Sequence, residues 1–144
     1  MKLLRSKGTL SLVLLQLPFW SLVYGQTVTQ QLTSEEIASR VAYVHGNDYV
    51  VSNPTLVSAW GSVMTDRIEY QLVAQDENEK FPLLSSVPLM TKANAAVHGA
   101  DFANFNVSTF NPLVYNLDFF SDRTVVYRID NTGYLLIVKS IQRN

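Results

Sequence analysis

Residues 124–141 (TVVYRIDNTGYLLIVKSI) limit the possible folds more than any other stretch of the chain. Two runs rich in Val, Ile, Leu and Tyr flank Asp130-Asn131-Thr132-Gly133. Asp suits the start of a type I turn, and Gly the left-handed position that follows it. The chain is therefore expected to reverse here as a β-hairpin. A three-residue loop would pair Asp130 with Tyr134, and a four-residue loop would pair Ile129 with Tyr134. The hydrophobic pattern selects the second, because a slip of one residue sends every side chain to the opposite face. That register collects Val125, Tyr127, Ile129, Tyr134, Leu136 and Val138 on one face. Val126, Leu135 and Ile137 share the other face with Arg128 and Lys139. Both faces are substantially apolar, and a two-stranded ribbon alone is marginal in water. The hairpin is thus expected inside a larger sheet with a helix across it.

Residues 1–25 read as a secretory signal peptide. Lys2, Arg5 and Lys7 precede an apolar run over residues 10–24, which ends Val23-Tyr24-Gly25 with small residues at the −3 and −1 positions of a cut before Gln26. Gln16 and Pro18 interrupt the run, which is shorter than the roughly 20 residues a membrane-spanning helix needs. The expected address is secreted or periplasmic, with membrane contact only during export. Residues 26–144 are expected to form a single α+β domain. The leader carries three of the 11 basic residues and none of the 12 acidic ones, so the remainder is acidic. Scattered positive charge of this kind disfavours nucleic acid as a partner. The chain has no cysteine, which excludes a disulfide framework and thiol chemistry.

After a polar lead-in over residues 26–32, Thr33-Ser34-Glu35-Glu36 forms a capping box that starts a helix. Ile37, Ala38, Val41 and Val44 give it one apolar side, and Gly46 is placed to end it. Tyr49-Val50-Val51 reads as a short strand, and Asn53-Pro54 as the cap and first residue of a second helix, with a strand as the alternative for that segment. Residues 67–73 alternate, with Ile68, Tyr70 and Leu72 on one face of a half-buried strand. Pro82 and Pro88 confine the apolar residues 81–90 to a sheet edge or break them into pieces. A short helix is expected over residues 93–97, and loop or strand over 102–110. Residues 111–120 fit a helix and a strand equally well. The expected fold is α+β: a mainly antiparallel sheet, an N-terminal helix packed on it and the C-terminal hairpin.

No residue stands out as catalytic, cofactor-binding or metal-ligating. His45 and His98 are the only histidines, and neither has metal-ligand spacing. His45 falls in the last turn of the first helix, where a positive imidazole would suit the dipole. His98-Gly99-Ala100-Asp101 could be an acid/base pair or plain turn chemistry. Ser85, Ser86 and Ser108 lack a nucleophile motif, and Asp76, Glu77 and Glu79 lack the pattern of a calcium loop. No phosphate-binding glycine pattern implies a nucleotide cofactor. Asn106-Val107-Ser108 is a glycosylation sequon in a eukaryotic secretory context. Phe102, Phe105, Phe110, Tyr115, Phe119 and Phe120 are either core or the lining of an apolar groove.

These observations favour a non-enzymatic binding or structural module of the periplasm or cell surface, with an unknown protein or apolar ligand as partner. Two alternatives stand beside it. One is a small hydrolase using His98 with Asp101 or Asp48, and the other a carrier with a cavity lined by Phe105, Phe110 and Phe120.

Overall fold

The computed structural model describes residues 25–74 and 79–141, and the expected signal peptide over 1–25 lies almost wholly outside them. The fold is mixed α+β, with helices packed on an antiparallel four-stranded sheet of order β1-β2-β4-β3. The strands are β1 (Thr27–Val28), β2 (Ile68–Leu72), β3 (Val125–Arg128) and β4 (Tyr134–Val138).

β3 and β4 form the expected hairpin in the expected register. Tyr127 faces Leu136, Arg128 faces Leu135, and Ile129 N–H donates to Tyr134 O at 2.9 Å. β2 pairs along the other edge of β4, Tyr70 opposite Leu136 and Ile68 opposite Val138. These four side chains are fully buried and form the centre of the inner face. One detail of the turn is corrected. The left-handed residue is Asn131, at φ 56°, and Gly133 has no positive φ. Asn reaches this region by bonding locally with its short polar side chain. Gly133 instead sits in a tight space: a Cβ there would lie 3.2 Å from Leu72 Cδ1 and 3.3 Å from Val73 O. Close approach lets Val73 N–H bond to Gly133 O and extend the β2–β4 ladder.

Helix α1 (Ser34–His45) carries the full capping box, with Thr33 N–H donating to Glu36 Oε2 at 2.7 Å and Glu36 N–H to Thr33 Oγ1 at 3.2 Å. It ends at Gly46 and buries Val41 and Val44 in the core that the inner sheet face completes. Residues 47–52 form helix α2 rather than a strand. Asn53 does not cap the following helix α3 (Pro54–Ser62). Its Nδ2 donates back to Tyr49 O at 2.9 Å, closing the end of α2. Gly61 lets α3 lie against α1, since a Cβ there would meet Ile37 Cδ1 at 2.9 Å. Close packing thus offsets the roughly 1 kcal/mol that Gly costs a helix. A π-helical turn (Val63–Arg67) leads into β2 and buries Val63 and Met64.

The long middle segment is irregular. Residues 81–90 are broken as the two prolines require, leaving a 3-10 turn at Leu84–Ser86 and single bridges from Leu83 to Arg128 and Leu89 to Tyr115. The expected helix over 93–97 is absent, and residues there form turns. Residues 111–120 are neither helix nor strand beyond a 3-10 turn at Pro112–Val114. The polar lead-in 26–32 is part of the fold. It contributes β1, paired with Gln71 and Tyr70, and Gln30, which is only 2% exposed.

Tyr70 gives a first testable consequence. Its hydroxyl is buried with no hydrogen-bond partner among the described residues, and burial holds its pKa well above the ordinary 10.0. The folded state therefore keeps a proton that the unfolded chain releases above pH 10, so stability is complete below that value and declines as pH rises past it. Tyr70→Phe is expected to change unfolding free energy by less than about 1 kcal/mol at neutral pH. It should also remove part of the alkaline loss, as measured by denaturant titrations on both sides of pH 10.

Candidate functional site

Segment 98–111 crosses the inner face of the sheet and is tied to α1 at both ends. At its start His98 N–H points to Tyr43 Oη at 3.4 Å, and just upstream Asn94 Nδ2 donates to Tyr43 O at 2.7 Å. At the other end, the Arg40 guanidinium donates to Phe110 O and Ser108 O, each at 2.6 Å. Arg40 also reaches Gln30 Oε1 at 2.8 Å, while Gln30 Nε2 donates to Phe110 O at 2.7 Å and to Val107 O. Asn111 Nδ2 returns a bond to Arg40 O at 3.1 Å. Backbone carbonyls that no strand partners are thus satisfied by two side chains from the N-terminal part of the chain.

Between these ties lies a cleft of about 340 Å³. Phe105, Phe110 and Val114 supply its apolar surface, and Tyr43, His98, Asp101, Asn104, Asn106 and Thr109 its rim. The aromatic rings are anchored from beneath. Phe110 stacks on Tyr115 at 6.0 Å and meets Tyr70 edge-on at the same distance, and Phe105 contacts Phe110 at 5.4 Å and Tyr134 at 5.6 Å. Tyr115 Oη accepts from Ala100 N–H at 2.9 Å and fixes the start of the rim. A larger depression of about 670 Å³ beside the hairpin turn is predominantly polar and adjoins residues outside the described set. The smaller cleft exposes more apolar than polar surface, as small-ligand sites do.

The rim residues are occupied in ways that bear on chemistry. Asp101 caps the 3-10 turn Phe102–Asn104, accepting from Ala103 N–H at 3.0 Å and Asn104 Nδ2 at 2.6 Å. The Asn104 bond, then that of Ala103, holds its carboxyl below the usual range. His98 is exposed, and its Nδ1 lies 3.0 Å from Gly99 O. The two side chains share a rim without bonding to each other, and Asp48 is on the first turn of α2. Ser108 Oγ donates to Asn106 Oδ1 at 2.7 Å, and the Ser85 hydroxyl to Asp130, so neither serine meets a histidine. Among the described residues no three His, Asp or Glu side chains form a group that could hold a metal ion.

His45 sits in a second aromatic group. It stacks on Tyr49 at 4.7 Å and on Trp60 at 5.7 Å, and burial lowers its pKa, which favours the neutral ring over a dipole-compensating cation. Trp60 in turn contacts Phe119 at 5.6 Å and Phe120 at 5.8 Å. Of the aromatics between 102 and 120, Phe110, Tyr115 and Phe119 are core, whereas Phe120 is 63% exposed and lies away from the cleft. Phe105 and Phe110 therefore both border the cleft, Phe110 almost wholly buried, and Phe120 is not part of it.

Sequence reasoning missed Gln30, Arg40 and Asn111, the residues that hold the cleft segment in place. Asn111 carried a local signal, since Asn before Pro marks a cap, and its Oδ1 does accept from Leu113 N–H at 3.1 Å. Gln30 and Arg40 have partners 68 to 80 residues away, which no local pattern reveals. Comparison with family models, curated proteins and solved structures returned no match for the chain.

Proposed function

We propose that the chain is an exported, non-enzymatic binding module, cut after Gly25, that takes a small and mainly apolar ligand in the cleft between α1 and segment 98–111. The observation that carries the reading is the cleft itself: two phenylalanine rings bordering it, held by a buried aromatic stack and ringed by short polar side chains. Apolar area drives such binding, and the rim orients the ligand. Asp101 is committed to capping and His98 faces a backbone carbonyl, which favours binding over hydrolysis. Cleavage after Gly25 leaves every described helix and strand in place, since β1 begins at Thr27.

The test uses anilinonaphthalene sulfonate, an aromatic dye with one sulfonate whose fluorescence rises when its rings enter apolar sites. Thr109→Trp places an indole at the exposed rim, outside the packed core. We expect the wild type to bind the dye in the folded state and the variant to bind at least about tenfold more weakly, a loss of roughly 1.4 kcal/mol, with unchanged thermal stability. Equal affinity in both proteins would reject the cleft as the site. Equal inertness of wild type and His98→Ala towards generic ester, peptide and glycoside substrates is expected, and turnover abolished by His98→Ala would restore the hydrolase reading.

A further inference from the structure

We infer that Gln26 is a modification site: once the chain is cut after Gly25, Gln26 closes on itself and the mature protein begins with pyroglutamate. The inference rests on the cleavage reading above and goes beyond it. In the step, the freed α-nitrogen of Gln26 forms a bond to its own Cδ and the Cδ–Nε2 bond breaks. The departing nitrogen takes a proton from the amine and leaves as ammonia. Nothing is oxidised or reduced, and no second reactant is consumed. The product is a neutral lactam.

The structure leaves the reacting atoms free and holds the atoms that do not react. Gln26 is exposed, and among the described residues neither its side chain nor its backbone nitrogen makes a hydrogen bond. Its carbonyl oxygen accepts from Leu72 N–H at 3.2 Å, and that carbonyl takes no part in ring closure. The next two residues, Thr27 and Val28, pair with Gln71 and Tyr70. The lactam can therefore form at the end of a fixed strand without breaking a backbone bond of the sheet. Closure removes the terminal positive charge and the free amine that aminopeptidases require, so the exposed start of β1 is protected from trimming.

Two preparations test this. The full chain is produced in exporting host cells and its processed form measured by intact mass and stepwise N-terminal sequencing. A chain starting at Gln26 is also released from a fusion tag by a specific protease and followed by mass at neutral pH. Expected in both is a mass lower by one ammonia and a terminus blocked to sequencing until pyroglutamyl aminopeptidase removes the first residue. Gln26→Ala should give the same cut with an open terminus and no mass loss. An uncut chain, or a cut elsewhere, would overturn the cleavage reading and the inference together. A chain that begins at Gln26 with full mass and a free amine would keep the cleavage reading and overturn the inference. Persistence of the free amine in the tag-released chain would likewise overturn it.

Discussion

Leu136→Ala is expected to lower the unfolding free energy by about 3 to 5 kcal/mol, the upper range for a fully buried leucine in a close-packed core. Leu136 has no exposed surface and lies between Tyr70 of β2 and Tyr127 of β3, with the helical core above it. Its neighbour Ile137 points to the opposite face and is only partly buried. Ile137→Ala should therefore cost less than half as much, roughly 1 to 2 kcal/mol. Denaturant unfolding of both variants checks the assignment of faces, because the alternative hairpin register would reverse the order. Equal losses at the two positions would contradict the structure.

The second large effect is expected at Arg40. Arg40→Ala removes three hydrogen bonds, to Gln30 Oε1, Ser108 O and Phe110 O. Hydrogen bonds from a charged donor are worth more than neutral ones, and although the Ser108 bond is exposed and Phe110 O keeps its Gln30 donor, three are lost together, so a loss of about 2 kcal/mol is expected. Arg40→Lys keeps one charge but cannot fork to three acceptors, and should recover no more than about half of that. Amide exchange separates this from general destabilisation. Protection over residues 106–111 should collapse in Arg40→Ala while that of β4 falls only with global stability. Dye binding in the cleft should weaken in parallel, since the segment carrying Phe105 and Phe110 loses its anchor.

The readable parts of the sequence were those whose determinants are local. The hairpin register followed from a period of two that only one pairing satisfies, and α1 from a capping box and stripe contained within residues 33–46. Tyr49-Val50-Val51 misled because β-branched residues prefer strands, yet the preference is weak beside the packing of Tyr49 on His45 and the bond that Asn53 makes to Tyr49 O. Residues 111–120 fitted two periods because neither governs them: Pro112, Leu113, Val114 and Tyr115 are all buried consecutively, as only an irregular segment pressed between sheet and helices allows. For the site, the pairing of Phe105 with Phe110 was readable as an aromatic cluster. The exposure of Phe120 and the burial of Gln30 were not, because both depend on chain segments remote in sequence.

The order of the strands also bears on when the chain can fold. β2 finds its main partner, β4, about 70 residues later, as the bond from Lys139 Nζ to Glu69 Oε1 marks. Beyond their bond to each other, Gln30 and Arg40 donate to carbonyls at 107–110. Until the last third of the chain emerges, β1 and β2 have no complete sheet to join, and α1 has no finished core to cover. Such long-range pairing folds slowly. A chain emerging N-terminus first would leave β2 and the inner side of α1 without their partners until β3 and β4 follow.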